Sequence, residues 1–287
     1  MEIRESRSLQ DLNLVDRFLF DETMEVPGMY QIMVNILLEN KVTLLDRVQT
    51  EKEFRISPEL RSVRLDVVSM DITGKIYYTE MQKKNTGNLL KRSRYYQGQL
   101  DVSLLEPGSV DFNMLNDTCL ILITPFDLFG KGLYRYTFSG VCEECPELKL
   151  QDGAVRIFIN TKGTNREEFS REYLEFMEYL TDTSDERAET SSSERIKTMH
   201  KEVQKIRASE KIGVKFMQKW EERVYDRLEG KAEGRIEGKI EGKIEAKADL
   251  NKLNQALLRD NRLEDLIRST TDPEFQEELL REYHISA

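Results

Sequence analysis

Histidine and cysteine are scarce in this 287-residue chain, which has two of the first and three of the second. An odd, small number of thiols argues against a disulfide framework and for a reducing, cytoplasmic compartment. Cys142 and Cys145 form one CxxC, yet a zinc site needs two more ligands, and His200 and His284 stand far along the chain. A redox CxxC usually opens a helix after a strand, whereas CEECPEL runs into Pro146, so the pair reads as two ordinary thiols. The shortage of histidine also weakens any Ser-His-Asp or histidine-rich metal chemistry. Neither a P-loop nor a GxGxxG occurs. No run approaches the roughly 18 apolar residues that cross a bilayer, and the opening MEIRESRSLQDLNL lacks the apolar core of a secretory leader. With 39% hydrophobic and 33% charged residues, the chain is charge-rich, long enough for a buried core and without a membrane partner. Enzyme chemistry, if present, falls to carboxylates. The net charge of −10 argues at first against a nucleic-acid partner.

Proline is the next telling absence. Pro27, Pro58, Pro107, Pro125 and Pro146 punctuate the first half, and the next is Pro273. The proline-free interval is rich in Glu, Lys and Arg, which predicts helix. Between the halves, TDTSDERAETSSSE reads as an acidic Ser/Thr-rich linker, placed at 182–194. This divides the chain into a domain at 1–181 and a helical tail at 195–287. In the first part, apolar spacing predicts helices over Leu12–Phe20, Tyr30–Leu38, Asn88–Leu105 and Arg166–Leu180. Strands are expected at Val42–Gln49, Val63–Met70, Lys75–Gln82, Leu133–Phe138 and Val155–Asn160. The apolar run Cys119–Thr124 reads as a strand buried on both faces. The mixture predicts an α/β domain, a mixed sheet flanked by helices.

The turn Asp71-Ile72-Thr73-Gly74 is the most informative local feature. A three-residue loop with glycine last favours a type I turn plus a bulge. Asp71 then faces Lys75, and counting back sets Asp66 against Glu80, with Cβ atoms ~5 Å apart on one face. Alternation puts Gln82 on the same face as Glu80, with Ile76 and Tyr78. Two like charges inside apolar strands repel and are costly to desolvate, and a divalent cation such as Mg²⁺ resolves the conflict. The plain alternative is a wet sheet face with two incidental carboxylates, or an ion pair to Arg64. Lys83 and Lys84 follow at once, with Lys91, Arg92 and Arg94 on the next helix, an order suited to a metal beside a phosphate backbone.

Several segments together resemble one known family. They are Val63-Arg-Leu-Asp66-Val, Tyr78-Thr-Glu80-Met-Gln82, Lys91-Arg-Ser-Arg94-Tyr-Tyr96, Pro125-Phe-Asp127-Leu-Phe-Gly130-Lys-Gly, Tyr136-Thr-Phe138, Leu150-Gln-Asp152-Gly153 and the opening Leu12-Asn-Leu-Val-Asp16-Arg-Phe-Leu-Phe20. Over roughly residues 9 to 180 the chain resembles the PD-(D/E)XK nuclease family transposases, bacterial proteins also called recombination-promoting nucleases. The resemblance implies a restriction-endonuclease-like core and Mg²⁺-dependent hydrolysis of DNA phosphodiesters, with Mn²⁺ as the other candidate metal. Asp66 and Glu80 would then be the metal ligands and Gln82 the third catalytic residue, in the position where the wider superfamily has lysine. A lysine brings charge, whereas a glutamine orients only by hydrogen bonding, so the metal, or Lys83 and Arg92 nearby, would supply the missing charge. Lys83, Arg92 and Arg94 are the expected phosphate contacts. Tyr96 supports the acids or packs, and Asp16 is a further acid for which helix capping is the simpler role. DNA against RNA stays open, and a non-catalytic scaffold on the same fold is the alternative.

The tail holds a tetrapeptide repeat at 229–248, EGKA EGRI EGKI EGKI EAKA. Acid and base are always two or six apart, so intrahelical pairs at three or four are impossible. Four glycines each cost about 1 kcal/mol relative to alanine in a helix. A helix here would carry acidic, glycine, basic and apolar stripes, and a homo-oligomer through the tail would cover the isoleucines. A disordered low-complexity stretch is the alternative. The repeat is charge-balanced, so the acidic total says little about the local basic patch. It narrows to weak non-specific DNA affinity, dependent on Mg²⁺ and low salt.

Overall fold

The computed structural model describes residues 8–45, 49–54, 63–105, 108 and 110–285. The chain divides into two units, Met1–Phe216 and Met217–Ala287. The first unit is α/β. Its six strands are β1 (Gln49–Phe54), β2 (Val63–Met70), β3 (Ile76–Met81), β4 (Thr118–Thr124), β5 (Arg135–Phe138) and β6 (Ala154–Asn160), in the order β1-β2-β3-β4-β6-β5. The sheet is mixed: β3, β4 and β6 run parallel, and the pairs β1–β2, β2–β3 and β5–β6 are antiparallel.

Two-residue alternation sorts the central strands between two layers. Val67, Tyr77, Met81, Cys119, Ile121, Ile123, Ile157 and Ile159 enter the main core. That core is shared with α1 (Arg17–Met24), α2 (Met29–Leu38), α4 (Arg171–Thr181) and α6 (Glu194–Ala208). Val68, Ile76, Tyr78 and Leu120 take the other face, under Leu100 of α3 (Leu89–Leu104), the crossover between β3 and β4. All of β4 is buried, as its continuous apolar run predicts.

The predicted elements from β2 to β6 appear within two residues of their expected bounds, while α4 starts at Arg171, five residues after the expected Arg166, which opens a separate 3-10 turn. The first helix also starts late, at Arg17 rather than Leu12. The Asn13 N–H donates to Asp16 Oδ2 at 3.1 Å and closes a turn there, while Leu12 and Leu14 still enter the core. The strand expected at Val42–Gln49 is reduced to a bridge between Leu44 and Asp71, and β1 starts at Gln49, with 46–48 outside the described residues.

The expected linker at 182–194 is folded, and the two units part at residue 216 rather than 181. Its Ser, Thr and Asp residues are caps and anchors. Ser184 caps α5 (Asp185–Thr190), Ser193 caps α6, and Thr183 Oγ1 accepts from the Leu14 N–H at 2.9 Å. The buried Ala188 and Ile196 tie this stretch into the main core.

Helix α7 (Glu210–Arg259) runs 50 residues and includes the whole repeat. In the second unit, Leu253 and Leu257 near its end pack with Leu266 of α8 (Leu263–Ser269) and with Phe275 and Leu279 of α9 (Pro273–Glu282). As Asp272-Pro273 predicts, Asp272 caps α9, accepting from the Phe275 N–H at 3.1 Å. Ile240 and Ile244 of the repeat are 52% and 63% exposed.

Candidate metal and nucleic-acid site

The turn between β2 and β3 forms as its residues require. Gly74 takes φ +89°, its N–H donates to the Asp71 carbonyl at 3.0 Å, and the Asp71 N–H donates to Lys75 O at 2.9 Å. Asp71 Oδ1 accepts from the Thr73 N–H, the Thr73 hydroxyl and the Lys75 N–H, which locks the loop. The register follows: Val67 faces Thr79 and Val68 faces Tyr78, so one step further sets Asp66 against Glu80.

Both acids are buried, at 0% and 5% exposure. Asp66 Oδ2 accepts from the Met81 N–H at 2.9 Å, which fixes its side chain across the hairpin. Its other oxygen meets the guanidinium of Arg17, at the start of α1. Arg92, one turn into α3, donates from Nη2 to Glu80 Oε1 at 2.6 Å and to Gln82 Oε1 at 2.5 Å. Glu80 and Gln82 therefore share a face, as alternation predicts. Lys83 Nζ pairs with Asp16 Oδ1 at 2.5 Å. Arg17 also meets Asp21 at 3.7 Å, so these three cations are paired with Asp66, Asp21, Glu80 and Asp16. Burial pushes the Glu80 carboxyl up to about 7. Arg92 pulls it down, and Asp66 pushes it up again.

A divalent cation fits this donor set in one respect and is constrained in another. Glu80 Oε2 is buried and accepts no hydrogen bond, so one hard oxygen is uncommitted. Among the described residues there is no cluster of three or more His, Cys, Asp or Glu side chains arranged for a metal. A cation would therefore rest on Asp66 and Glu80 and complete its shell with water or substrate oxygens, as Mg²⁺ commonly does. Gln82 is engaged on both sides, since its Nε2 donates to Lys84 O at 2.6 Å.

The remaining expected residues separate. The Arg92 guanidinium lies 5.6 Å from the Tyr96 ring centroid, and Tyr96 packs against the cluster beneath α3. Lys84, Lys91 and Arg94 are exposed, and the side chain of Arg64 lies outside the described residues. Arg17 is the member that sequence spacing does not reveal. The loop Pro125–Gly132 is organised around Asp127, which accepts from the Phe129 N–H, the Gly132 N–H and the Tyr136 hydroxyl at 3.0, 2.6 and 2.8 Å. Gly153 holds a left-handed φ of +76°, and an added Cβ would lie 2.1 Å from Asp117 Oδ1 and force that side chain to shift.

The chain matches no family model, no curated protein and no solved structure. Among the described residues, no helix is long and apolar enough to cross a membrane.

Proposed function

We propose that the first unit is a Mg²⁺-dependent DNA endonuclease on a restriction-endonuclease-like core. The carrying observation is the buried Asp66–Glu80 pair, held opposite on adjacent strands with Gln82 beside it and arginines at its rim. Asp66 and Glu80 would hold the ion, which supplies Lewis-acid activation of phosphate and water. Arg92, Lys83 and Arg17 supply positive charge where the wider superfamily uses one lysine. The exposed Arg94, with Lys84 and Lys91, offers sequence-independent contacts to the phosphate backbone. The few thiols support a cytoplasmic setting, and the link to mobile-element recombination rests on the family resemblance alone. The test is nicking of supercoiled plasmid with Mg²⁺ or EDTA. Wild type should cut only with Mg²⁺, and Asp66→Ala should not cut. Equal nicking by both proteins refutes the site.

A non-catalytic nucleic-acid-binding scaffold is the second reading. The observation favouring it is that both acids are already neutralised by arginine. Duplex binding without cleavage in Mg²⁺ or Mn²⁺ selects it.

For the tail we propose self-association through the repeat of α7. Around the helix each apolar position has a base about 60–100° to one side and an acid the same distance to the other, at 100° per residue. Two parallel copies related by a twofold axis along the seam bring the acid flank of one against the base flank of the other. Antiparallel copies bring acid to acid and base to base. The stripe order therefore favours a parallel pair.

A further inference from the structure

Asp66 and Glu80 sit deep in the sheet, and the arginines that neutralise them come from helices and are less buried. Asp66 is tied to the Met81 N–H, and both acids sit on inner strands of the sheet. The arginine side chains reach solvent more than the acids do, although Arg17 Nη2 and Arg92 Nε are themselves buried. The Arg17 side chain is 38% exposed against 1% for Asp66, and that of Arg92 is 23% exposed against 7% for Glu80. An arginine keeps its charge throughout the working pH range, so it cannot vacate a carboxylate by losing a proton and must move. A divalent cation entering between the acids meets two positive charges already there. A polyanion approaching the arginines finds them already paired. Each ligand alone leaves one set of charges stranded, either guanidinium groups beside a dication or buried carboxylates without a counter-ion. Both ligands together give the acid pair and the guanidinium groups counter-charges, because guanidinium binds phosphate oxygens at least as well as carboxylate; Arg17 also meets Asp21 at 3.7 Å, a contact it gives up when it moves.

From this geometry we propose that Arg17 and Arg92 are exchangeable counter-ions that make divalent-cation binding and nucleic-acid binding cooperative. The proposal rests on the nuclease reading of the site and adds the order of events. The metal-free chain is a closed, charge-balanced state, and cation and phosphate backbone open it jointly. The two arginines are positioning residues that move from carboxylate to phosphate. Linkage requires the effect to be reciprocal, and couplings of this kind commonly reach roughly 5- to 150-fold.

The experiment uses the full-length protein, Ca²⁺ as a hard probe cation and a short fluorescent DNA duplex. Cation affinity is measured by calorimetry with and without duplex. Duplex affinity is measured by anisotropy with Ca²⁺ or with KCl of matched ionic strength. In wild type each ligand should tighten the other by the same factor, at least about fivefold. In Arg17→Gln/Arg92→Gln, the cation alone should bind more tightly than in wild type, and the mutual enhancement should fall towards one. Equal cation affinity with and without duplex in wild type would overturn the proposal, with no variant needed. So would a double variant, shown folded by circular dichroism, that binds the cation more weakly than wild type. Plasmid nicking separates the two failures. Mg²⁺-dependent cutting without coupling removes the counter-ion exchange and leaves the nuclease reading standing. Absence of cutting together with absence of cation binding removes both.

Discussion

Glu80 shows how one buried residue sets a pH response. Its carboxyl sits beside Asp66, and burial raises it to about 7 from an ordinary value of 4.5. Between those values the folded chain holds a proton that the unfolded chain has released. Stability is therefore lost as pH rises through this window, and is fully present below it. A shift of that size corresponds to roughly 3 kcal/mol at most. In chelator, denaturant midpoints of wild type should fall from pH 5 to pH 8 by more than those of Glu80→Gln, which keeps the shape and lacks the titration. Parallel pH profiles for the two proteins would show that Arg92 holds Glu80 ionised throughout. Mg²⁺ should offset the loss at pH 8, raising the melting temperature of wild type and not that of Asp66→Ala.

Element-scale features differ in how far they were legible. The hairpin was readable because Asp71 and Gly74 are local and their turn fixes register, so Asp66 meets Glu80 without long-range information. Strand β4 was readable because the run Cys119–Thr124 is continuously apolar or β-branched and too short for a buried helix, and the strand extends it by one residue to Thr118. Residues 182–194 were misread because Ser, Thr and Asp are at once linker residues and N-caps, and only the buried Ala188, with Ile196 just beyond, separates the cases. Arg17 was not legible at all. Its contact with Asp66 depends on how α1 docks on the sheet, which no spacing encodes. The loop after β4 is held by one residue: the Asp127 carboxylate gathers three donors, and the Phe129 ring packs against Tyr136. Asp127→Ala strands those donors and should cost about 2–4 kcal/mol in urea denaturation. Nicking at saturating Mg²⁺ should survive at temperatures where the variant is folded, because Asp127 is not among the residues at the acid pair.

At the scale of the whole molecule, the repeat poses the problem of a helix with no internal reason to form. Its glycines weaken it, and its charges are spaced so that no intrahelical pair at three or four residues forms. Ile240 and Ile244 nevertheless stand exposed along α7. A second copy offsets these costs together, covering the isoleucines and matching acid flank to base flank. Four-residue spacing makes the isoleucines an i, i+4 ridge, and two such ridges interdigitate at a crossing angle near −50°. The contact is therefore a local crossing rather than a long coiled coil. Full-length chain should then sediment at twice its own chain mass and a chain ending at Leu228 at its single-chain mass, and raised salt should weaken but not abolish the pair, since exposed ion pairs contribute little beside apolar burial. Orientation can be read with Ile236→Cys and Ile244→Cys in a background carrying Cys142→Ser and Cys145→Ser. A parallel pair links 236 to 236 and 244 to 244, whereas an antiparallel pair links 236 to 244. A monomeric full-length chain would remove the assembly, and a predominant 236–244 product would show that the charged flanks do not set its direction.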